Sequence, residues 1–146
     1  MLISGKLPNY YNDSIDIVYN FYKNKNLNGD TSNHYWIDKV DDKELLFHLN
    51  KLRNAQKIKD AIKQKYPNYN VIPVNKSDEI YFSVSPDKRQ GSDITLSDCH
   101  YDAPYKYVYQ GGNIFLRLIL ALNDNSTVYT QVGDKISKLT TGDFNI

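Results

Sequence analysis

Two side chains in the second half of the chain carry chemistry by their type and spacing: His100 and Asp102. They lie in Ser97-Asp98-Cys99-His100-Tyr101-Asp102-Ala103-Pro104, at the end of a stretch that reads as extended from Ile94 to Asp102. Side chains two residues apart in a strand point to the same face, so an imidazole and a carboxylate stand side by side. Together they make two-thirds of a 2-His-1-carboxylate facial set, which holds non-haem Fe(II) and leaves coordination positions open. Cys99 alternates to the other face and reads as a small packing residue. No histidine follows His100 in the sequence. Of the two that precede it, His34 sits among aromatics and His48 between Phe47 and Leu49, so both read as surface or packing residues.

The elements that must position this pair follow from periodicity. Asp13 or Ser14 caps a short helix with Ile15, Val18, Tyr19 and Tyr22 on one face. Asn28-Gly29-Asp30 reads as a reversal, and His34-Tyr35-Trp36-Ile37 as an aromatic anchor on the core. A long helix is expected over 42–65, with Asp41 and Glu44 at capping-box spacing and Leu45, Leu49, Leu52, Ile58 and Ile62 as its apolar stripe. Its lysines Lys57, Lys59, Lys63 and Lys65 could meet phosphates or an acidic partner but read first as a solvated face. Pro67 stops it.

From Asn70 the period becomes strand-like. Val71-Ile72-Pro73-Val74 reads as a short edge strand, and Ile80, Phe82 and Val84 alternate in another. Gln110-Gly111-Gly112-Asn113 joins a hairpin, and Ile114 to Leu122 is apolar on both faces except at Arg117, as in a covered central strand. Strands over 127–132 and 136–139 and turns at Gly133-Asp134 and Thr141-Gly142-Asp143 follow, then Phe144-Asn145-Ile146 opens one more strand. Helices first and a run of strands after them give an α+β fold, with the strands curling into a sandwich or barrel. At 146 residues this is read as a single domain, 1–69 mainly helical support and 70–146 β-rich.

Composition sets the outer limits. Hydrophobic content of 40% and charged content of 24% are those of an ordinary globular chain. A formal charge of +1 leaves no overall electrostatic footprint for nucleic acid. One cysteine excludes an internal disulfide and fits a reducing compartment, and no stretch has signal-peptide or membrane-span character. The expectation is a soluble, cytoplasmic protein.

The order of the second half is distinctive. The H-x-D of His100 and Asp102 precedes a hairpin, then Leu116-Arg117-Leu118-Ile119-Leu120-Ala121-Leu122-Asn123, a Thr-containing strand, and Gly142-Asp143-Phe144. This resembles the Fe(II)/2-oxoglutarate-dependent dioxygenase superfamily, most closely its prolyl-hydroxylase-like type, over about residues 83–146. There an H-x-D strand of a double-stranded β-helix (a jelly roll) is followed by an R-x-x-x-x-x-L-N strand and a Gly-Asp turn. The resemblance implies N-terminal helices packed on a jelly roll that is incomplete at its C-terminal end. It implies Fe(II) as the metal, with His100 and Asp102 as its first two ligands, and 2-oxoglutarate as co-substrate. Hydroxylation of a C–H bond in a peptide or protein, with a prolyl residue the first candidate, would accompany oxidative decarboxylation of the co-substrate to succinate.

The third ligand of that family, a distal His, would fall beyond Ile146, so the chain reads as the N-terminal portion of such an enzyme. Arg117 needs a partner if it points inward, because an unpaired buried guanidinium is costly. The carboxylate of 2-oxoglutarate is one candidate, and Asp98 or Asp143 is the structural alternative. Tyr109 is a further candidate pocket hydroxyl. The alternative function is a non-catalytic β-sandwich binding module with a degenerate metal site.

Overall fold

A computed structural model describes residues 2–25, 33–73, 79–82, 116–124 and 129–146. The fold is mixed helix and antiparallel sheet. Strand β1 (Ser4–Lys6) is followed by a 3-10 turn at Asn9–Tyr11 and helix α1 (Asn12–Lys25). Strand β2 (Asn33–Trp36), a 3-10 turn at Ile37–Lys39 and helices α2 (Lys43–Arg53) and α3 (Gln56–Lys65) come next. Then follow β3 (Glu79–Phe82), β4 (Ile119–Leu120), β5 (Thr130–Val132), β6 (Lys135–Ser137) and β7 (Asp143–Asn145).

Helix α1 forms on the face its periodicity marks out. Ile15, Val18 and Tyr22 are buried, with Ser14 buried beside them; Asp13 and Ser14 are the second and third residues of the helix rather than its cap. Ser14 Oγ and His48 Nδ1 are hydrogen-bonded at 3.0 Å, which satisfies a hydroxyl that would otherwise be stranded between α1 and α2. His48 is thus a packing residue, with the Phe47 ring edge-on to it at 5.2 Å. Tyr22 packs against Tyr35 of β2 with ring centroids 4.7 Å apart, and burial pushes its phenol up to about 12. Trp36, by contrast, is 44% exposed and anchors little.

The single helix expected over 42–65 is two. Helix α2 ends where Asn54 leaves helical geometry and its Nδ2 donates to the Asn50 carbonyl at 3.0 Å; Ala55 is extended, and α3 restarts at Gln56. The reason lies in the spacing of the stripe. Six residues at 100° each separate Leu52 from Ile58, which sets Ile58 about 120° off the buried face of an unbroken helix. The break re-phases the chain, so that Leu45, Leu49 and Leu52 and then Ile58 and Ile62 are all buried. The cap is Asp42 rather than Asp41: its carboxylate accepts from Leu45 N at 3.0 Å.

Two strands of the helical half join the β-rich half. β1 pairs antiparallel with β7 (Ser4↔Asn145, Gly5↔Phe144, Lys6↔Asp143), and β4 pairs with β7 on its other side (Ile119↔Asn145, Leu120↔Phe144). The division at residue 69 is therefore crossed by hydrogen bonds, and by the β2–β3 pair as well. β5 and β6 form a hairpin turning at Gly133, whose φ of 60° suits glycine. Residues 71–73 take no strand, and Ile72 is 77% exposed; Pro73 lacks the amide a ladder needs. Among the described residues these small sheets do not make up a double-stranded β-helix. No helix among them is long and apolar enough to cross a membrane.

The core lies between the helices and one face of the β1–β7–β4 sheet. Phe144, 1% exposed, is its largest contribution from a strand. Gly5 opposite it is bare of necessity, because a Cβ there would lie 2.5 Å from the Phe144 ring.

Candidate functional site

His100, Asp102 and Tyr109 lie outside the described residues, as do Cys99 and Asp98. Arg117 is described, and so is the strand it leads into. That strand alternates. Leu116, Leu118, Leu120 and Leu122 pack against the core, while Arg117 and Ile119 are exposed. The expectation of a strand covered alike on both faces gives way to a two-faced one, and Arg117 stands on the face turned away from the helices.

Register extends that face across the sheet. Ile119, Asn145 and Ser4 are cross-strand neighbours, and antiparallel partners share a face. Asn145 is only 2% exposed there, and its Nδ2 donates to Ser137 Oγ at 2.9 Å. Ser137 Oγ in turn donates to the Thr130 carbonyl at 3.3 Å. The β5–β6 hairpin is thus tied by a polar contact to the Asn145 side chain, on the face of the sheet opposite Phe144. Arg117 and Ile119 lie on the sheet face that carries this contact, the one turned away from the helices.

The Gly-Asp turn between hairpin and β7 is held at both ends by carboxylates. Asp143 Oδ2 accepts from Thr140 N and from Thr140 Oγ1, each at 2.8 Å, and the Asp143 amide donates back to the Thr140 carbonyl at 2.8 Å. Asp124, just past β4, takes Thr141 N at 2.6 Å and Thr141 Oγ1 at 2.8 Å on one oxygen. Lys6 Nζ closes the group, 3.3 Å from Asp143 Oδ1 and donating to Thr140 Oγ1 at 2.8 Å. Gly142, at φ 82°, sits against Ile15 and Leu7, so the turn is seated on α1 and the end of β1.

These contacts set the local electrostatics. Burial pushes the Asp143 carboxyl up, but the Thr140 amide and hydroxyl and the Lys6 ammonium outweigh it and hold the group below the usual carboxylate range. The Thr141 amide and hydroxyl do the same for Asp124. Asp143, one structural partner considered for Arg117, is thus engaged by Lys6 and Thr140.

The sequence marks Thr141-Gly142-Asp143 as a turn and Asp143 as a candidate structural partner for Arg117, without the Thr140 and Asp124 contacts. The signal for those contacts is Thr140 three residues ahead of Asp143, the spacing of a reciprocal capping box, with Asp124 directly after the L-N pair. Elsewhere, shallow clefts of about 360 and 310 Å³ flank Phe21 and Leu45 where α1 meets the start of α2. No group of three His, Cys, Asp or Glu side chains able to hold a metal occurs among the described residues. No family model, no curated protein and no solved structure matches the chain.

Proposed function

We propose that this chain is a non-haem Fe(II)- and 2-oxoglutarate-dependent dioxygenase of the prolyl-hydroxylase-like type, or the N-terminal portion of one, its strands part of a jelly roll. The observation that supports this best is the pairing of the two later motif segments. The strand within Arg117 to Asn123 hydrogen-bonds to the strand that leaves the Gly142-Asp143 turn, in the order the resemblance requires. Layering supports it too, since helices cover one face of that sheet and Arg117 projects from the other.

His100 and Asp102 would be the iron ligands: an imidazole and a carboxylate suit Fe(II), and the i, i+2 spacing would set them on one face of a strand. Bound Fe(II) and 2-oxoglutarate would supply the oxidising chemistry that hydroxylates a C–H bond. The chain's own share is to hold the metal on two side chains and to offer the Arg117 guanidinium to a carboxylate of the co-substrate. Tyr109 would add a hydroxyl. The third ligand has no counterpart after His100 in these residues. A peptide or protein, with a prolyl residue first among candidates, is the substrate this reading favours.

The test is anaerobic Fe(II) binding by the full polypeptide. His100→Ala and Asp102→Ala should each weaken it at least about tenfold, the usual effect of losing metal-site support. Equal binding by wild type and both variants would remove the proposal.

A further inference from the structure

The lysines of α3 are not explained by the fold. Between Lys51 and Lys65 the sequence places six cationic side chains against one carboxylate, Asp60. Helix α3 has no acidic residue in its first turn and no side-chain cap, and Lys57 and Lys59 stand near its positive end, where the helix dipole disfavours cations. Lys59 and Lys63 are four residues apart, a like-charge pair that destabilises a helix. The dipole accounts for Lys63 and Lys65 in the last turn, not for the other two.

Among the described residues no ion pair balances these lysines. Asp60 is held by Gln56 Nε2 at 2.7 Å. Lys63 Nζ donates to the Pro67 carbonyl at 3.2 Å, which leaves its charge unbalanced. Gln56, Lys59 and Lys63 follow one another at i, i+3 and i+7, so they share a face. That face is opposite in position to the buried Ile58 and Ile62 stripe only in part, since Lys59 is half-buried at its margin.

We propose that this lysine face docks a short acidic segment of a protein partner. Its extent decides the class. α3 is ten residues long, about 15 Å, which matches about five residues of extended peptide. A long polyanion fits poorly, because the whole chain is only +1 and four carboxylates, Asp38, Asp41, Asp42 and Glu44, cluster in the sequence leading into α2. Lysines rather than arginines also suit a diffuse electrostatic contact more than bidentate phosphate recognition. The surface uses none of the residues assigned to iron.

The probe is a fluorescein-labelled oligoglutamate peptide of about five residues, followed by anisotropy on the full chain in about 20 mM salt, where the Debye length is long. Binding is expected, and it should weaken steeply by about 300 mM salt. Lys59→Glu should cut the affinity about tenfold while leaving the melting temperature unchanged or higher, because it sets a carboxylate four residues ahead of Lys63. Lys43→Glu, on the first turn of α2, should leave binding intact. The proposal is overturned if the peptide fails to bind at low salt, if Lys43→Glu weakens it as much as Lys59→Glu, or if an oligothymidylate of equal charge binds more tightly.

Discussion

The two faces of the β1–β7–β4 sheet are built for different ends. On one, Phe144 fills the space left by Gly5, Leu120 stands across from it, and the helices close over all three. On the other, Ile119 and Arg117 are exposed, and the buried side chain is an amide, Asn145, tied to a serine of the hairpin. Apolar burial is proportional to area and indifferent to direction, whereas an amide–hydroxyl contact fixes an orientation and contributes only about 1 kcal/mol. The first face makes the fold stable; the second ties the hairpin to the sheet and keeps Arg117 out of the core.

That contrast is open to a graded set of substitutions. Phe144→Ala removes the largest buried ring on the sheet and should cost about 3–5 kcal/mol, read as a lower urea midpoint with little change in slope. Gly5→Ala pushes a methyl into the same ring and should cost about 1–3 kcal/mol through overpacking. A loss near zero in either would mean that the sheet does not seat on the helices through this pair.

The polar contacts should matter less at neutral pH and more in acid. Asp143 and Asp124 have folded pKa values below their ordinary ones, so their contribution is present above about pH 4 and is lost as pH falls through the folded values. Wild-type stability should decline on that limb. Asp143→Asn should be less stable at pH 7 by no more than about 1 kcal/mol and should show a flatter decline below about pH 4. A parallel decline in wild type and variant would place the acid sensitivity elsewhere. Smallest of all, Arg117→Ala should stay within about 0.5 kcal/mol of wild type in stability, as exposed side chains do.

What could be read from the sequence follows the range of the interactions. The α1 face, the glycine turns at Gly133 and Gly142 and the exchange from helices to strands are local, and they were legible from spacing alone. The α2–α3 break was hidden because each half of the stripe is helical, and only the six-residue step from Leu52 to Ile58 betrays the change of phase. The Asp42 cap lies one residue from the expected one because the choice between adjacent aspartates rests on which backbone turns extended. The β1–β7 pair joins opposite ends of the sequence, and no local pattern announces it. Arg117's face is a consequence of that pairing. Asn145's contact with Ser137 of the hairpin is likewise non-local. His100, Asp102 and Tyr109 remain readings of residue type, spacing and resemblance.

The central claim is that the face opposite the helices belongs to an iron- and 2-oxoglutarate-binding site. Calorimetric titration of 2-oxoglutarate into the full polypeptide, with and without Fe(II) under anaerobic conditions, tests it most directly. The account predicts binding that requires Fe(II), is abolished in His100→Ala, and is weakened at least about tenfold in Arg117→Ala while that variant keeps its melting temperature. Binding that is absent with iron present, or unchanged in His100→Ala, would contradict it.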